Sequence, residues 1–169
     1  MTAAWTGAYL AACGLLAAGG AAKAWAPDST ARALHAAGLP ASRQLVRLGG
    51  ALEAFLGVAA LATGLPALAG LVGASYLGFS VFIVLALVRG TPIASCGCFG
   101  TPDTPPSRLH VAINLGAAGV AVAVATRPAV PLTTVLAHQP LAGIPLVVLA
   151  AAAGYLAYLV FLFPFGGSR

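Results

Sequence analysis

Between Glu53 and Arg89 the chain runs through residues 54–88 without one charged side chain. About 20 apolar residues are enough to cross a ~30 Å hydrocarbon core as a helix. The run therefore holds most of two crossings, and "TGLPA" at 63–67 supplies a turn between them. Gly and Pro punctuate helices there, because one tolerates left-handed backbone and the other lacks an amide proton. The first 22 residues are equally bare, with only Tyr9 and Cys13 ionisable. Charged residues make up 7% of the 169-residue chain, where a soluble domain carries about 25%. Mean hydropathy is +0.99. This is the sequence of an integral membrane protein. A cleaved secretory signal fits the first segment poorly, since no basic residue precedes its apolar run and Lys23 follows it.

Five spans are expected, at about residues 3–23, 45–63, 68–88, 109–126 and 141–163. The fold class that follows is all-α: a polytopic membrane helix bundle with a four-helix core and a fifth C-terminal transmembrane helix, in one domain over residues 1–169. Gly and Ala throughout permit close helix contact, which is how membrane bundles pack. Lys23 and Trp25, taken singly, suit a membrane interface, where long basic chains snorkel and indoles settle. "PDSTARALHAAGLPASRQ" predicts a short amphipathic helix between the first two spans. Ser29 or Thr30 would cap it, Gly38-Leu39-Pro40 would end it, and His35 would be exposed. The eight Lys and Arg residues do not cluster with aromatics, which argues against nucleic-acid binding. Alternation of spans puts Lys23, Arg32, Arg43, Arg47, Arg89, Arg108 and Arg169 on one face and Arg127 alone on the other. That excess would make the basic face cytoplasmic, in a multi-pass protein of the cytoplasmic (inner) membrane.

The chemistry-bearing residues gather on the same basic side. Glu53 lies inside the second span, where a carboxylate costs about 2.5–3.5 kcal/mol to insert, so it should face the bundle and have a partner. His110 and Asn114, four residues apart in the fourth span, share one helical face. The loop "SCGCFGTPDTPPSRLH" at 95–110 holds Cys96 and Cys98 across a single glycine. A bridge over so short a ring would be somewhat strained and readily reduced, suiting exchange more than stapling. A nearby Arg89, Arg108 or protonated His110 would raise the thiolate fraction. Two thiolates with His110 and Asp103 could instead hold copper(I) or zinc, though the spacing lacks a second cysteine pair, and a purely structural turn remains a third reading. Cys13, deep in the first span, reads as a small buried apolar residue.

"RGTPIASCGCFGTPDTPPSRLHVAIN" (89–114) resembles the methylamine utilisation protein MauE family, within the wider MauE/DoxX group of redox-associated membrane proteins. Arg89, Cys96, Gly97, Cys98, Phe99, Gly100 and Asn114 carry the resemblance. Lys23 in "AAKAW" and Glu53 also sit where the family places a lysine and a glutamate. The likeness covers about residues 5–127. It departs at Ile113, where the family often has an arginine. The resemblance implies a role in methylamine metabolism: maturation of the disulfide-rich small subunit of methylamine dehydrogenase, or an analogous client, beside a thioredoxin-like partner.

The first functional expectation is thus a membrane thiol–disulfide factor with oxidoreductase activity. Cys96 or Cys98 attacks a partner disulfide and the other resolves it, with Arg89, His110, Glu53 and Asn114 in support and a quinone or thioredoxin-like protein exchanging electrons. The second is a non-catalytic assembly or metal-binding factor using the Cys-Gly-Cys loop. The third is a small transporter using Glu53, against which no pair of broken spans marks a midplane site.

Overall fold

The computed structural model describes residues 3–89, 107–127 and 131–138, with positions 144, 147–148, 150–152, 154–156 and 159. Regular structure among the described residues is all helical. Four helices are long and apolar enough to cross a membrane: α1 (Ala3–Trp25), α3 (Arg43–Thr63), α4 (Pro66–Arg89) and α5 (Arg108–Thr126). Two short ones, α2 (Asp28–Ala36) and α6 (Leu132–His138), join or flank them. The expected fifth span, 141–163, falls largely outside the described residues. Its described positions are helical, and Gly154 lies beside Leu15 and Ala11 of α1.

Connection length fixes the topology. α3 ends on Gly64, whose φ of 63° is left-handed, and whose amide donates to the Ala60 carbonyl. Pro66 then opens α4, at a position where a missing amide proton removes no hydrogen bond. So short a link forces α3 and α4 antiparallel. α1 packs most heavily on α3, and α4 on α5, while α1 against α5 closes the core between the pairs. That core holds Tyr9, Cys13 and Leu16 of α1, Val72 and Tyr76 of α4, and Ala118, Ala121 and Val124 of α5. Cys13 is free and fully buried, as its position suggested.

The surface inverts the soluble pattern. Leu48, Leu52 and Phe55 of α3 and Leu71, Val81 and Val88 of α4 are exposed, whereas Lys23, Ser80, His110 and Asn114 are buried. In lipid the exterior needs no polar cover, and polar groups are cheapest facing one another inside.

α2 differs from expectation at its start. Neither Ser29 nor Thr30 caps it: the helix begins at Asp28 behind Pro27, with no side-chain cap, and Ser29 is buried. Pro27 already sits at φ −73°, so the ring pre-sets helical backbone, and the Asp28 carboxylate favours a helix N-terminus. Asp28 also pairs with Arg43 at 2.6 Å, fastening the start of α2 to the start of α3. The other end is a Schellman motif. Gly38, at φ +77°, donates to the His35 carbonyl, and Leu39 donates back to Leu34 at 3.0 Å. His35 is exposed. Ala33 and Ala37 pack on Ala86 and Phe82 of α4, so α2 folds over the end of the bundle.

Candidate functional site

The site begins with an absence of side chains. Where α1 crosses α3, a methyl on Gly20 would lie 2.5 Å from the Ala54 amide nitrogen and 2.6 Å from the Gly50 carbonyl oxygen. One on Gly50 would meet the Gly20 carbonyl at 2.6 Å, and one on Gly57 the Cys13 carbonyl at 2.6 Å. The two backbones touch through glycine alone, at positions a heptad apart on α3. Such an approach leaves no space for water between the two backbones. Lys23 and Glu53, each three residues from a contact glycine, meet there as an ion pair between Nζ and Oε2.

Lys23 therefore does not snorkel. Its side chain is 7% exposed, while neighbouring Trp25 is 89% exposed and suits the interface role. Side chains tilt toward a helix N-terminus, which turns the Lys23 ammonium back into the bundle, and α2 roofs it. The ammonium also lies 4.3 Å from the centroid of the Phe79 ring, a cation–π distance that strengthens without water. Phe79 is held edge-on by Tyr76 at 6.0 Å between centroids. The Tyr76 hydroxyl donates to the Ala12 carbonyl at 2.6 Å, tying α4 to α1. Sequence reading missed Phe79, because nothing in an apolar span marks one aromatic over another.

Beside the ion pair lies a cavity of about 380 Å³. Lys23 and Glu53 line it with Phe79 and Phe82 of α4, Val46 and Gly50 of α3, and Leu34 and Leu39 from α2 and its exit. The cavity exists because α3 and α4, joined tightly at Gly64, make little contact elsewhere, and α2 closes the top of the gap.

On α5, His110 and Asn114 are both 2% exposed and share the buried face with Ala118, Ala121 and Val124. His110 completes a capping box: Ser107 N–H donates to its Nδ1 at 3.2 Å, and its own N–H donates to Ser107 Oγ at 3.4 Å. With Nδ1 accepting, a neutral imidazole carries its proton on Nε2. Asn114 Nδ2 is buried with no hydrogen-bond partner among the described residues. Gly73 of α4 faces Ala118, Ala121 and Val122, and that antiparallel register brings Asn114 to about the level of Phe79. Arg89 stands apart. It is exposed at the end of α4, its guanidinium donating at 3.5 Å to the Ala37 carbonyl at the α2 C-terminus, where positive charge complements the helix dipole. Cys96, Cys98 and Asp103 lie outside the described residues. The structure thus joins Lys23, Glu53 and Phe79 directly, buries His110 and Asn114 at the same end, and leaves Arg89 on the rim.

The family model described as Methylamine utilisation protein MauE matches residues 1–127. That is three-quarters of the chain. The protein belongs to the MauE family. It is a membrane protein associated with methylamine utilisation, and the matched region contains all four long helices together with the Cys-Gly-Cys segment. Comparison with curated proteins and with solved structures gave no match. The MauE match ends where α5 ends, so the C-terminal residues lie beyond the family's shared region.

Proposed function

We propose that this MauE-family protein is a thiol–disulfide factor of the inner membrane that serves the maturation of a disulfide-containing client. The observation that supports it best is a shared end. The segment bearing Cys96 and Cys98 joins Arg89, at the end of α4, to Ser107, at the start of α5, and beneath that end the bundle holds the Lys23–Glu53 pair and buries His110 and Asn114. One thiolate of the pair attacks a client disulfide, forming a mixed disulfide and releasing one client thiolate. The second thiol displaces the client's remaining sulfur, so the Cys96–Cys98 pair is oxidised as the client gains two thiols. A thioredoxin-like partner restores the pair, and run in reverse the couple delivers a disulfide. Arg89 and Arg108 bracket the segment with positive charge that favours thiolate.

Trapping tests this. With Cys13 replaced by Ala, Cys98→Ser should accumulate a mixed disulfide through Cys96 that dissolves on reduction. Absence of any trapped species from either single variant, with client maturation intact, would overturn the reading.

A further inference from the structure

We propose that the cavity beside Lys23 and Glu53 binds a neutral, lipid-soluble ring bearing carbonyl or hydroxyl oxygens, the chemistry of a quinone headgroup. Three features of the cavity select that class. Its volume of about 380 Å³ lies in the range of small-molecule sites, about 300–1,000 Å³. Its walls are apolar apart from one ammonium, one carboxylate and the side chain of Thr30, and two aromatic residues, Phe79 and Phe82, line it. Its charges cancel, so no net charge on the ligand is called for.

The polar pair also fits both redox forms of such a ring. The Lys23 ammonium has three donors, of which Glu53 uses one, and it can donate to a ring carbonyl. Glu53 has acceptor capacity beyond its bond to Lys23 and can receive a ring hydroxyl. A site with donor and acceptor side by side holds an acceptor-only quinone and a donor-bearing hydroquinone alike. A lone cation or lone carboxylate would favour one of them.

The way in points to the membrane. Gly49 and Gly78 line the cavity from facing helices, and a side chain added at either meets no atom within 4 Å. Gly78 and its neighbours Leu45 and Leu77 are exposed on the apolar outer surface. Part of the cavity's rim therefore lies at helix positions that face lipid, and α2 with the exposed Leu39 and Pro40 after it borders the aqueous end. A ligand that arrives through lipid and carries a tail would leave that tail outside.

Binding asks nothing of the thiols, which separates its failure from failure of the exchange reading. Full-length protein in phospholipid vesicles is to be labelled with a photoreactive azido-benzoquinone carrying a decyl tail, and the adducts mapped by mass spectrometry. Adducts are expected within residues 43–53 and 78–82, displaced by unlabelled decylbenzoquinone and retained in the Cys96→Ser/Cys98→Ser double variant. Gly78→Leu or Gly49→Leu fills the mouth without touching the ion pair, and should weaken labelling about tenfold or more, a loss of ~1.4 kcal/mol. Gly116→Leu, in open space on α5, should not. Equal labelling of Gly78→Leu with unchanged helical content, adducts spread evenly over the lipid-facing residues, or competition by phospholipid alone would each overturn the proposal.

Discussion

Replacing Lys23 with Met leaves the partly buried Glu53 carboxylate without its counterion beside two touching backbones. Breaking a buried pair from one side typically costs about 3–5 kcal/mol, because the remaining charge has no counterion. Lys23→Met is therefore expected to lower the unfolding midpoint in micelles sharply, and Lys23→Met/Glu53→Gln to recover much of the loss. A double variant no more stable than the single one would show that the pair is not coupled. Glu53 and Asn114 were legible from sequence as inward-facing groups, since neither can face lipid cheaply. Lys23 as Glu53's partner was not. It sits at the third-last position of α1, where snorkelling is the ordinary fate, and only the α1–α3 crossing decides otherwise. Gly20, Gly50 and Gly57 were the available signal, lost among many other small residues. Cys96 and Cys98, the most conspicuous pair in the sequence, lie outside the described residues, so their chemistry rests on the exchange proposal.

At the scale of single helices, the α1–α3 seam and the α2 roof carry the design. Two adjacent glycines offer an internal control for the seam. Gly50→Ala places a methyl 2.6 Å from the Gly20 carbonyl oxygen, whereas Gly49→Ala places one in open space. Both gain helix propensity, worth about 1 kcal/mol, so only the contact separates them. Gly50→Ala should lower the melting temperature through overpacking of about 1–3 kcal/mol, and Gly49→Ala should leave it level or raised. The roof depends on its C-terminal turn. Gly38→Val forces a β-branched residue to a φ of +77°, costing about 1–2 kcal/mol, and should open the cavity to water-soluble spin quenchers when a label sits at Leu39. The existence of α2 was readable from its pattern of apolar residues. Its resting place was not, because Ala33 and Ala37 meet Ala86 and Phe82 only once α4 is packed into the bundle.

For the whole molecule, the order of helices dictates sidedness of its parts relative to one another. The α1–α3 connection and the α4–α5 connection share an end, and Gly64–Leu65 marks the opposite one. With Cys13→Ala as background, native Cys96 and Cys98 and an Arg32→Cys variant should react with an impermeant maleimide in the same preparation, either intact spheroplasts or inverted vesicles. Leu65→Cys in a chain lacking Cys96 and Cys98 should react only in the other. Labelling of all four positions from one side would break the four-helix topology. The all-α bundle was legible because apolar length alone demands it. The division into α1–α3 and α4–α5 pairs was not, since it follows from which small residues meet.

The union of Lys23 with Glu53 has an electrical corollary. An isolated ion inside the bilayer is worked on by the transmembrane voltage, at about 2.3 kcal/mol per elementary charge per 100 mV. Two opposite ions locked against each other present no monopole to that field. Occupancy of the neighbouring cavity should accordingly stay constant when a potassium diffusion potential is imposed on loaded liposomes, so a cell could energise or discharge its membrane and leave this chamber undisturbed.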